Sequence, residues 1–291
     1  ECYLFLQQFL KQSKQFGAQR RASEVAAVEM AIQNLAEQVS SGNATQFMWQ
    51  MENERFLELE QYFSPQKIDD VELQLVQQET GKIQLSINKA GKNLKSVPKK
   101  IAKNAQVVAM QEARKELMEQ YSRTRLQLER AMCEEALFNS ELIYTLAKNS
   151  TFEQLFSNLV WMQADQFYML KEGAFVSVHN EEVKVKGNVQ IAHPYHLYEA
   201  GVWRVWQHYA FTAKWKQPFK QLFRELYLVA EDEKQKSATN RFEGYQVQPN
   251  KAITLLKSRG WKTSYYEPLR KISYRYNTIT FIDFIYDFLT A

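Results

Sequence analysis

Residues 101–139 read IAKNAQVVAMQEARKELMEQYSRTRLQLERAMCEEALFN, a stretch that contains neither glycine nor proline. Apolar side chains recur along it at roughly helical intervals: Val107, Met110, Leu117, Tyr121, Leu128 and Met132. This spacing places them on one face of a helix, with polar and charged residues on the opposite face. The stretch therefore predicts one long amphipathic helix at the centre of the fold.

The sequence before this helix changes from a helical to a strand pattern. Residues 1–63 carry three apolar stripes at helical spacing, which begin at Leu4, Val25 and Phe47 and are separated by Gly17 and by residues 40–43. After Pro65 the apolar positions alternate with polar ones: Leu73, Leu75, Ile83, Leu85 and Ile87. This period of two indicates half-buried strands, and residues 90–93 are suited to closing a hairpin.

The sequence after residue 139 mixes helices with a second hairpin. We expect helix to continue through Leu146, and Thr151 to cap another helix that carries Val160 and Trp161. Valines on both sides of residues 179–182 predict the second hairpin. Pro194 and Pro218 suit first helical positions, Gly260 suits the end of a helix over 249–259, and the tail 273–291 reads first as strand and then as helix. Together these patterns predict an α+β fold, predominantly helical with short β-hairpins.

Composition and charge exclude several classes of protein. The chain has 291 residues, 45% hydrophobic residues, 9 glycines and 6 prolines, as expected of a folded globular protein rather than a disordered one. Its net charge of +4 is only mildly basic. Cys2 and Cys133 indicate neither a disulfide framework nor a zinc site, and the apolar start is too short for a membrane span or a secretory signal. We expect a cytoplasmic fragment of a longer protein, without membrane contact.

The motifs of familiar enzymes are missing from the sequence. No glycine-rich phosphate loop and no nucleophile triad is present. His193 and His196 form an H-x-x-H with His208 as a conceivable third ligand, but the glutamate of the H-E-x-x-H signature is absent. We therefore expect no metal and no cofactor. The alternative is that His193 caps a helix and His196 makes a half-buried polar contact.

A lysine-rich interval precedes the central helix. Residues 80–111 contain no acid, and residues 82–103 hold seven lysines, of which Lys95, Lys99 and Lys100 are candidate nucleic-acid contacts. The interval lacks the aromatic residues on which bases stack. A solvated surface, or pairing with the acidic residues of 52–79, is the favoured alternative.

Arg224, in QPFKQLFRE at 217–225, has no acid one helical turn before or after it. One interpretation is a polar pocket for an anionic or carboxamide-bearing ligand, because guanidinium groups suit such ligands. Its candidate residues are His193, His196, Gln217, Gln221, Arg224, Arg241, Arg259 and Trp261. The other interpretation pairs Arg224 with a distant acid such as Glu129 or Glu199, and this structural role is favoured.

A series of landmarks carries a family resemblance. They are NLKSVPKKI (93–101), RLQLERAM (125–132), NLVW (158–161), IAHPYHLYEAGVW (191–203), QPFKQLFRE (217–225), RFEGY (241–245) and RGW (259–261). In this order and spacing, residues 80–262 resemble the bacterial family named after the molybdate metabolism regulator (MolR-like), or domain of unknown function 4132. The resemblance implies a part of a large multidomain protein and no established activity. A tryptophan-glycine-arginine-type domain, which some members carry, is not recognisable in this sequence.

Together these observations predict a helical N-terminal segment over 1–65 and a family domain with two hairpins and helices over 66–291. The leading hypothesis is a non-enzymatic regulatory or interaction module of a larger cytoplasmic bacterial protein, whose partners are another protein or other domains of its own chain. One alternative is an enzyme that acts on a nucleotide or other phosphorylated ligand, with His193 or His196 as acid or base and Arg224 binding the anion. The other alternative is nucleic-acid binding through residues 82–103.

Overall fold

The fold was obtained as a computed structural model, which describes residues 1–39, 43–78, 80–262, 268–273 and 276–283. The chain divides into two compact units, Glu1–Leu226 and Tyr227–Ala291, and each is described by itself. The fold class is α+β, with helices and antiparallel sheets, as the sequence patterns predict. No helix among these residues is long and apolar enough to cross a membrane.

The first unit begins with three helices and a short 3-10 helix. They are α1 (Cys2–Ser13), α2 (Ala18–Gln38), α3 (Ala44–Leu59) and the 3-10 helix Glu60–Phe63. Tyr3, Val28, Ile32 and Phe47 meet in a small core between α1, α2 and α3. The three helices confirm the helical stripes read from residues 1–63.

The next four strands form one antiparallel sheet. They are β1 (Gln66–Ile68), β2 (Val71–Gln77), β3 (Ile83–Lys89) and β4 (Lys92–Asn93), in the order β1-β2-β3-β4. Leu75 faces Leu85 across the pair β2 and β3, as their alternation predicts. Ala90 and Gly91 both have positive φ, the conformation of a type I′ two-residue turn, and they close the predicted hairpin between β3 and β4.

The central helix α4 spans Ala105–Glu134 and is about 45 Å long at 1.5 Å per residue. The side chain of Asn104 caps its first turn by accepting a hydrogen bond from Gln106 N, and the left-handed residue Glu135 ends it. The predicted apolar stripe is buried along its whole length except for Tyr121, which is half-buried. The stripe packs successively against the sheet β1-β2-β3-β4 and against the main aromatic core.

The second sheet follows α4. Its elements are β5 (Phe138–Asn139), α5 (Ser140–Leu146), α6 (Ser150–Phe156), β6 (Val160–Gln163), β7 (Gln166–Lys171), β8 (Ala174–Val176) and β9 (Asn188–Ile191). The strands are antiparallel in the order β5-β9-β6-β7-β8. The sheet packs with α4 around a fully buried aromatic core in which Trp49 stacks on Phe138 at 4.7 Å between ring centroids.

Three sequence predictions in this region are corrected. Val160 and Trp161 lie in strand β6 and not in a helix, because both pair with neighbouring strands and are fully buried there. Asn149, rather than Thr151, is the N-cap of α6. The hairpin predicted around residues 179–182 is reduced to a single bridge between Val176 and Glu182. Strand β8 forms its hairpin with the preceding strand, β7.

The first unit ends with α7 (Pro194–Glu199), α8 (Trp203–Thr212) and a non-helical segment over 213–226. Pro194 takes the predicted first helical position. The helix predicted from Pro218 is wrong, because side chains bind backbone groups that a helix would pair. The carbonyl of Leu222 accepts hydrogen bonds from Trp203 and Gln207, and its N–H donates to Gln217 Oε1.

The second unit contains α9 (Pro249–Ser258) and an antiparallel hairpin of β10 (Leu269–Ser273) and β11 (Thr278–Ile282). Gly260, with φ of 81°, follows α9 as predicted, and the hairpin confirms the strand pattern in the first part of the tail. The helix predicted at the end of the tail lies outside the described residues. The break predicted at residues 40–42 lies outside them as well.

Candidate binding sites

Gln221 is a fully buried side chain that joins strand β6, and the residue that follows β9, to the segment after α8. Its Oε1 accepts a hydrogen bond from Val160 N at 2.9 Å, and its Nε2 donates to Val160 O and Ala192 O, both at 2.8 Å. Gln217 donates to Gln221 Oε1 at 3.2 Å and to Asn158 O at 3.2 Å. The two glutamines of QPFKQLFRE thus bond to the backbone of β6, to residues beside the sheet and to each other.

Arg224 forms an ion pair with Glu129 on the central helix α4. Its Nη2 donates to Glu129 Oε1, its Nη1 lies 3.2 Å from Cys133 Sγ, and its Nε donates to Lys220 O at 3.2 Å. The side chains of Arg224 and Glu129 are both less than one-fifth exposed. Of the two acids that the sequence offered as partners, Glu129 is the one that binds Arg224.

His193 and His196 bind the backbone at the start of α7. Nδ1 of His193 accepts a hydrogen bond from Tyr195 N at 3.2 Å, and Nδ1 of His196 accepts one from His193 N at 3.3 Å. His193 is therefore the N-cap of α7. Nε2 of His196 lies 3.5 Å from Glu135 Oε1, just past the C-terminal end of α4.

The electrostatic environment keeps His193 neutral near pH 7. Burial, the Arg224 guanidinium and His196 lower the pKa of His193 from 6.5 to about 4, against an opposing contribution from Glu135. The structure thus brings His193, His196 and Arg224 into one polar cluster beside the end of α4. A neutral imidazole whose Nδ1 accepts a hydrogen bond carries its proton on Nε2, and in this cluster it serves as a helix cap.

The third histidine of the metal hypothesis, His208, lies exposed on α8. Among the described residues no group of three or more histidine, cysteine, aspartate or glutamate side chains is arranged to hold a metal ion. Cys2 and Cys133 are free and exposed.

The remaining residues of the predicted pocket lie in the second unit. Arg241 donates to Glu233 Oε2 at 2.8 Å and to Leu228 O at 3.1 Å, and its guanidinium carbon lies 4.6 Å from the centre of the Tyr227 ring. Hydrogen bonds from Thr239, Tyr227 and Ala230 N, helped by Arg241, lower the pKa of Glu233 to about 2. Arg259 follows the last turn of α9, and Trp261 donates its backbone N–H to Leu256 O.

The lysine-rich interval lies at the edge of the first sheet and in the loop before α4. Lys100 pairs with Asp69 at 3.1 Å and Lys89 pairs with Asp70 at 2.9 Å. Lys95 and Lys99 are exposed. Part of the charge of the interval is therefore used by acids from residues 52–79, one of the alternatives that the sequence offered.

A groove between α1 and α4 gathers basic residues that are distant in sequence. Its volume is about 680 Å³. We call it the basic groove, and its lining is Gln7, Leu10, Lys11, Lys14, Gln111, Arg114, Lys115, Met118, Glu119, Ser122 and Arg123. Five of these side chains are cationic and one, Glu119, is anionic. This excess of positive charge is large for a chain whose net charge is +4.

Two of the five cations in the basic groove are held by acids. Lys11 pairs with Glu119 at 2.8 Å, and Arg123 pairs at 2.7 Å with Glu52, whose side chain is 5% exposed. The other three are Lys14, Arg114 and Lys115. None of these has a carboxylate within 4 Å in the part of the chain that the structure describes. The groove therefore offers three unpaired positive charges to an anionic partner.

Comparison with protein families gives two matches. Residues 91–261, more than half of the chain, match the domain of unknown function DUF4132. The chain belongs to this family. Residues 1–51 match a second family of unknown function, DUF5724. No curated protein and no solved structure matches the chain.

The basic groove lies where the two matched regions meet. The α1 side of the groove belongs to the DUF5724 region, and the α4 side belongs to the DUF4132 domain. The groove leaves no continuous run of like charge in the sequence, because Lys14 and Arg114 are one hundred positions apart. The only available signal was the spacing of three to four residues within each helix, which puts Gln7, Lys11 and Lys14 on one face.

Proposed function

We propose that this DUF4132 chain is a non-enzymatic interaction module that binds an anionic surface of another protein through the basic groove. The observation that carries the proposal is the set of three exposed cations, Lys14, Arg114 and Lys115, around a half-buried floor of Leu10 and Met118. Interfaces combine such charge complementarity with an apolar floor to gain both association rate and affinity.

The bonding of the landmark residues supports a binding role over an enzymatic one. Gln221 uses its amide on the backbone of Val160 and Ala192, and Arg224 uses its guanidinium on Glu129. His193 caps α7 with a pKa of about 4, well below the range useful to a general base at neutral pH. These contacts give Gln221, Arg224 and Nδ1 of His193 a role in stabilising the fold.

We further propose a regulatory role in a MolR-like bacterial protein and a cytoplasmic location. They are supported by the order of the sequence landmarks from NLKSVPKKI to RGW and by two free cysteines, as expected in a reducing compartment. Other domains of a longer chain are further candidate partners.

The test is a titration of the 291-residue chain with fluorescent polyglutamate, followed by anisotropy at increasing ionic strength. We expect binding that weakens with salt, and about tenfold or more weaker binding by the variant Arg114→Glu/Lys115→Glu. The matched control Lys95→Glu/Lys99→Glu carries the same charge change at exposed positions outside the groove. Equal weakening by both variants, or binding by neither the parent nor the control, would contradict the proposal.

The same variants separate this proposal from nucleic-acid binding through residues 82–103. An oligonucleotide that binds the parent chain and loses affinity only in Lys95→Glu/Lys99→Glu would favour the lysine-rich interval instead.

A further inference from the structure

We infer that the basic groove receives an acidic amphipathic helix of a partner protein. This inference rests on the proposed function and names its partner class: a helix with a stripe of aliphatic side chains flanked by aspartate or glutamate. The shape, the floor and the rims of the groove each support it.

The shape of the groove fits a helix. Gln111, Arg114, Lys115, Met118 and Ser122 line it from one face of α4, a distance of about 17 Å or roughly three helical turns. From α1 the lining residues are again three or four positions apart. Its volume of about 680 Å³ holds several side chains rather than a single small anion. Two helices with a groove between them commonly bind a third through residues spaced at i, i+3, i+4 and i+7.

The floor of the groove selects aliphatic side chains. Leu10 packs against the core of α1, α2 and α3, whereas Met118 packs against the core between α4 and the first sheet. Both remain half-exposed in the groove. None of its lining residues is aromatic, so single-stranded bases would find no ring on which to stack. Methionine adapts its shape to the side chains it meets, which suits a protein partner.

The rims of the groove select acidic side chains on both sides of the aliphatic stripe of the partner helix. Lys14 lies on the α1 rim, and Arg114 and Lys115 lie on the α4 rim. Glu119 is already engaged: although burial opposes it, Lys11 lowers the pKa of its carboxyl, with help from Arg123 and Lys115. An incoming helix therefore meets free positive charge on either rim.

The test uses three probes with the full 291-residue chain. The first is a peptide of about 15 residues, roughly four turns, with leucines at a and d positions and glutamates beside them. The second has the same composition in a shuffled order without an apolar stripe, and the third is polyglutamate. Binding is measured by fluorescence anisotropy, and circular dichroism reports whether the bound peptide becomes helical.

We expect the amphipathic peptide to bind about tenfold or more tightly than the shuffled one and to gain helix on binding. Arg114→Glu/Lys115→Glu should remove this binding, while Lys95→Glu/Lys99→Glu should leave it unchanged. Met118→Gln alters the floor of the groove but not its charge. It should weaken the binding of the amphipathic peptide and leave the binding of polyglutamate unchanged.

Two other outcomes overturn the inference in distinguishable ways. If all three probes bind equally and depend on Arg114 and Lys115, the groove is a general anion site; the proposed function then stands and the helical partner is rejected. If no probe depends on these two residues in variants that melt like the parent, both the partner class and the proposed function are rejected.

Discussion

Arg224 donates a hydrogen bond to Glu129, and this pair joins the segment after α8 to the C-terminal half of the central helix α4. Burial is the main cause of the lowered pKa of His193, and the same guanidinium lowers it further, because a nearby cation disfavours the charged imidazolium. The guanidinium of Arg224 therefore has two roles: it binds the carboxylate of Glu129, and together with burial it favours the neutral form of the helix-capping His193.

The variant Arg224→Met should raise the pKa of His193 from about 4 towards its ordinary value of 6.5. The rise will be incomplete because burial, the largest cause of the shift, remains. A two-dimensional NMR titration of the histidine ring protons measures it. Lys220→Met is the matched control, since it removes a cation four residues earlier that does not contribute to the shift. An unchanged titration of His193 in folded Arg224→Met would contradict this electrostatic coupling.

Replacing His193 by asparagine should remove part of the acid sensitivity of the fold. The pKa of His193 is lowered on folding, so its contribution to stability is present above pH 6.5 and is lost as the pH falls towards 4. This loss should amount to roughly 1–3 kcal/mol in the parent chain. Asparagine accepts the same hydrogen bond from Tyr195 N but does not titrate.

Urea unfolding of His193→Asn at pH 7 and at pH 4.5 measures that difference in the free energy of unfolding. The control is His179→Asn, at an exposed turn, which should retain the acid sensitivity of the parent. Equal losses of stability on acidification in the parent chain and in His193→Asn would show that the cap does not titrate as described.

Gln221→Leu should destabilise the first unit by about 2–5 kcal/mol, because it removes the side-chain hydrogen bonds to the buried Val160 N and Ala192 O. Leucine fills a similar volume, so the cost reports lost hydrogen bonds rather than a cavity. Gln8→Leu, on the exposed surface of α1, should change stability by less than about 0.5 kcal/mol. Thermal and urea unfolding of both variants test this, and similar stabilities would rule out the structural role of Gln221.

The sequence predicted elements whose pattern is local. The buried stripe from Val107 to Met132 and the alternation of Leu73 and Leu75 are set by the periods of helix and strand, and both are confirmed. Trp161 lies in a strand and not in the predicted helix, because four residues of a buried strand have the same apolar pattern as a buried helix segment. No helix begins at Pro218, because side chains from α8 bind the backbone that would form it.

The sequence patterns do not predict which residues contact each other when they are far apart in the chain. The sequence offered both Glu129 and Glu199 for Arg224, and only the packing of the segment after α8 on α4 chooses between them. The basic groove was missed for the same reason, since Lys14 and Arg114 meet only when α1 packs beside α4. Helical spacing says which side chains share a face and not which helix lies opposite.

Gly81 lies in the loop between β2 and β3 with φ of 76°, over the ring of Tyr121 on α4. A methyl group at Gly81 would overlap that ring, whereas one at Gly91, with φ of 78°, would meet no atom within 4 Å. Gly91→Ala should therefore lower the free energy of unfolding by about 1 kcal/mol, because alanine is strained in the left-handed region. Gly81→Ala should cost about 2–4 kcal/mol, since overpacking against Tyr121 adds to the same strain.

Because the two glycines share nearly the same φ, the difference between Gly81→Ala and Gly91→Ala isolates the contact with Tyr121. A double-mutant cycle with Tyr121→Ala provides the second measurement: the cost of Gly81→Ala should fall to that of Gly91→Ala once the ring is removed. Urea unfolding of the four variants gives these free energies. Equal costs for both glycine substitutions in the presence of Tyr121 would show that the loop moves away from α4 without penalty, and that the first sheet is not positioned by this contact.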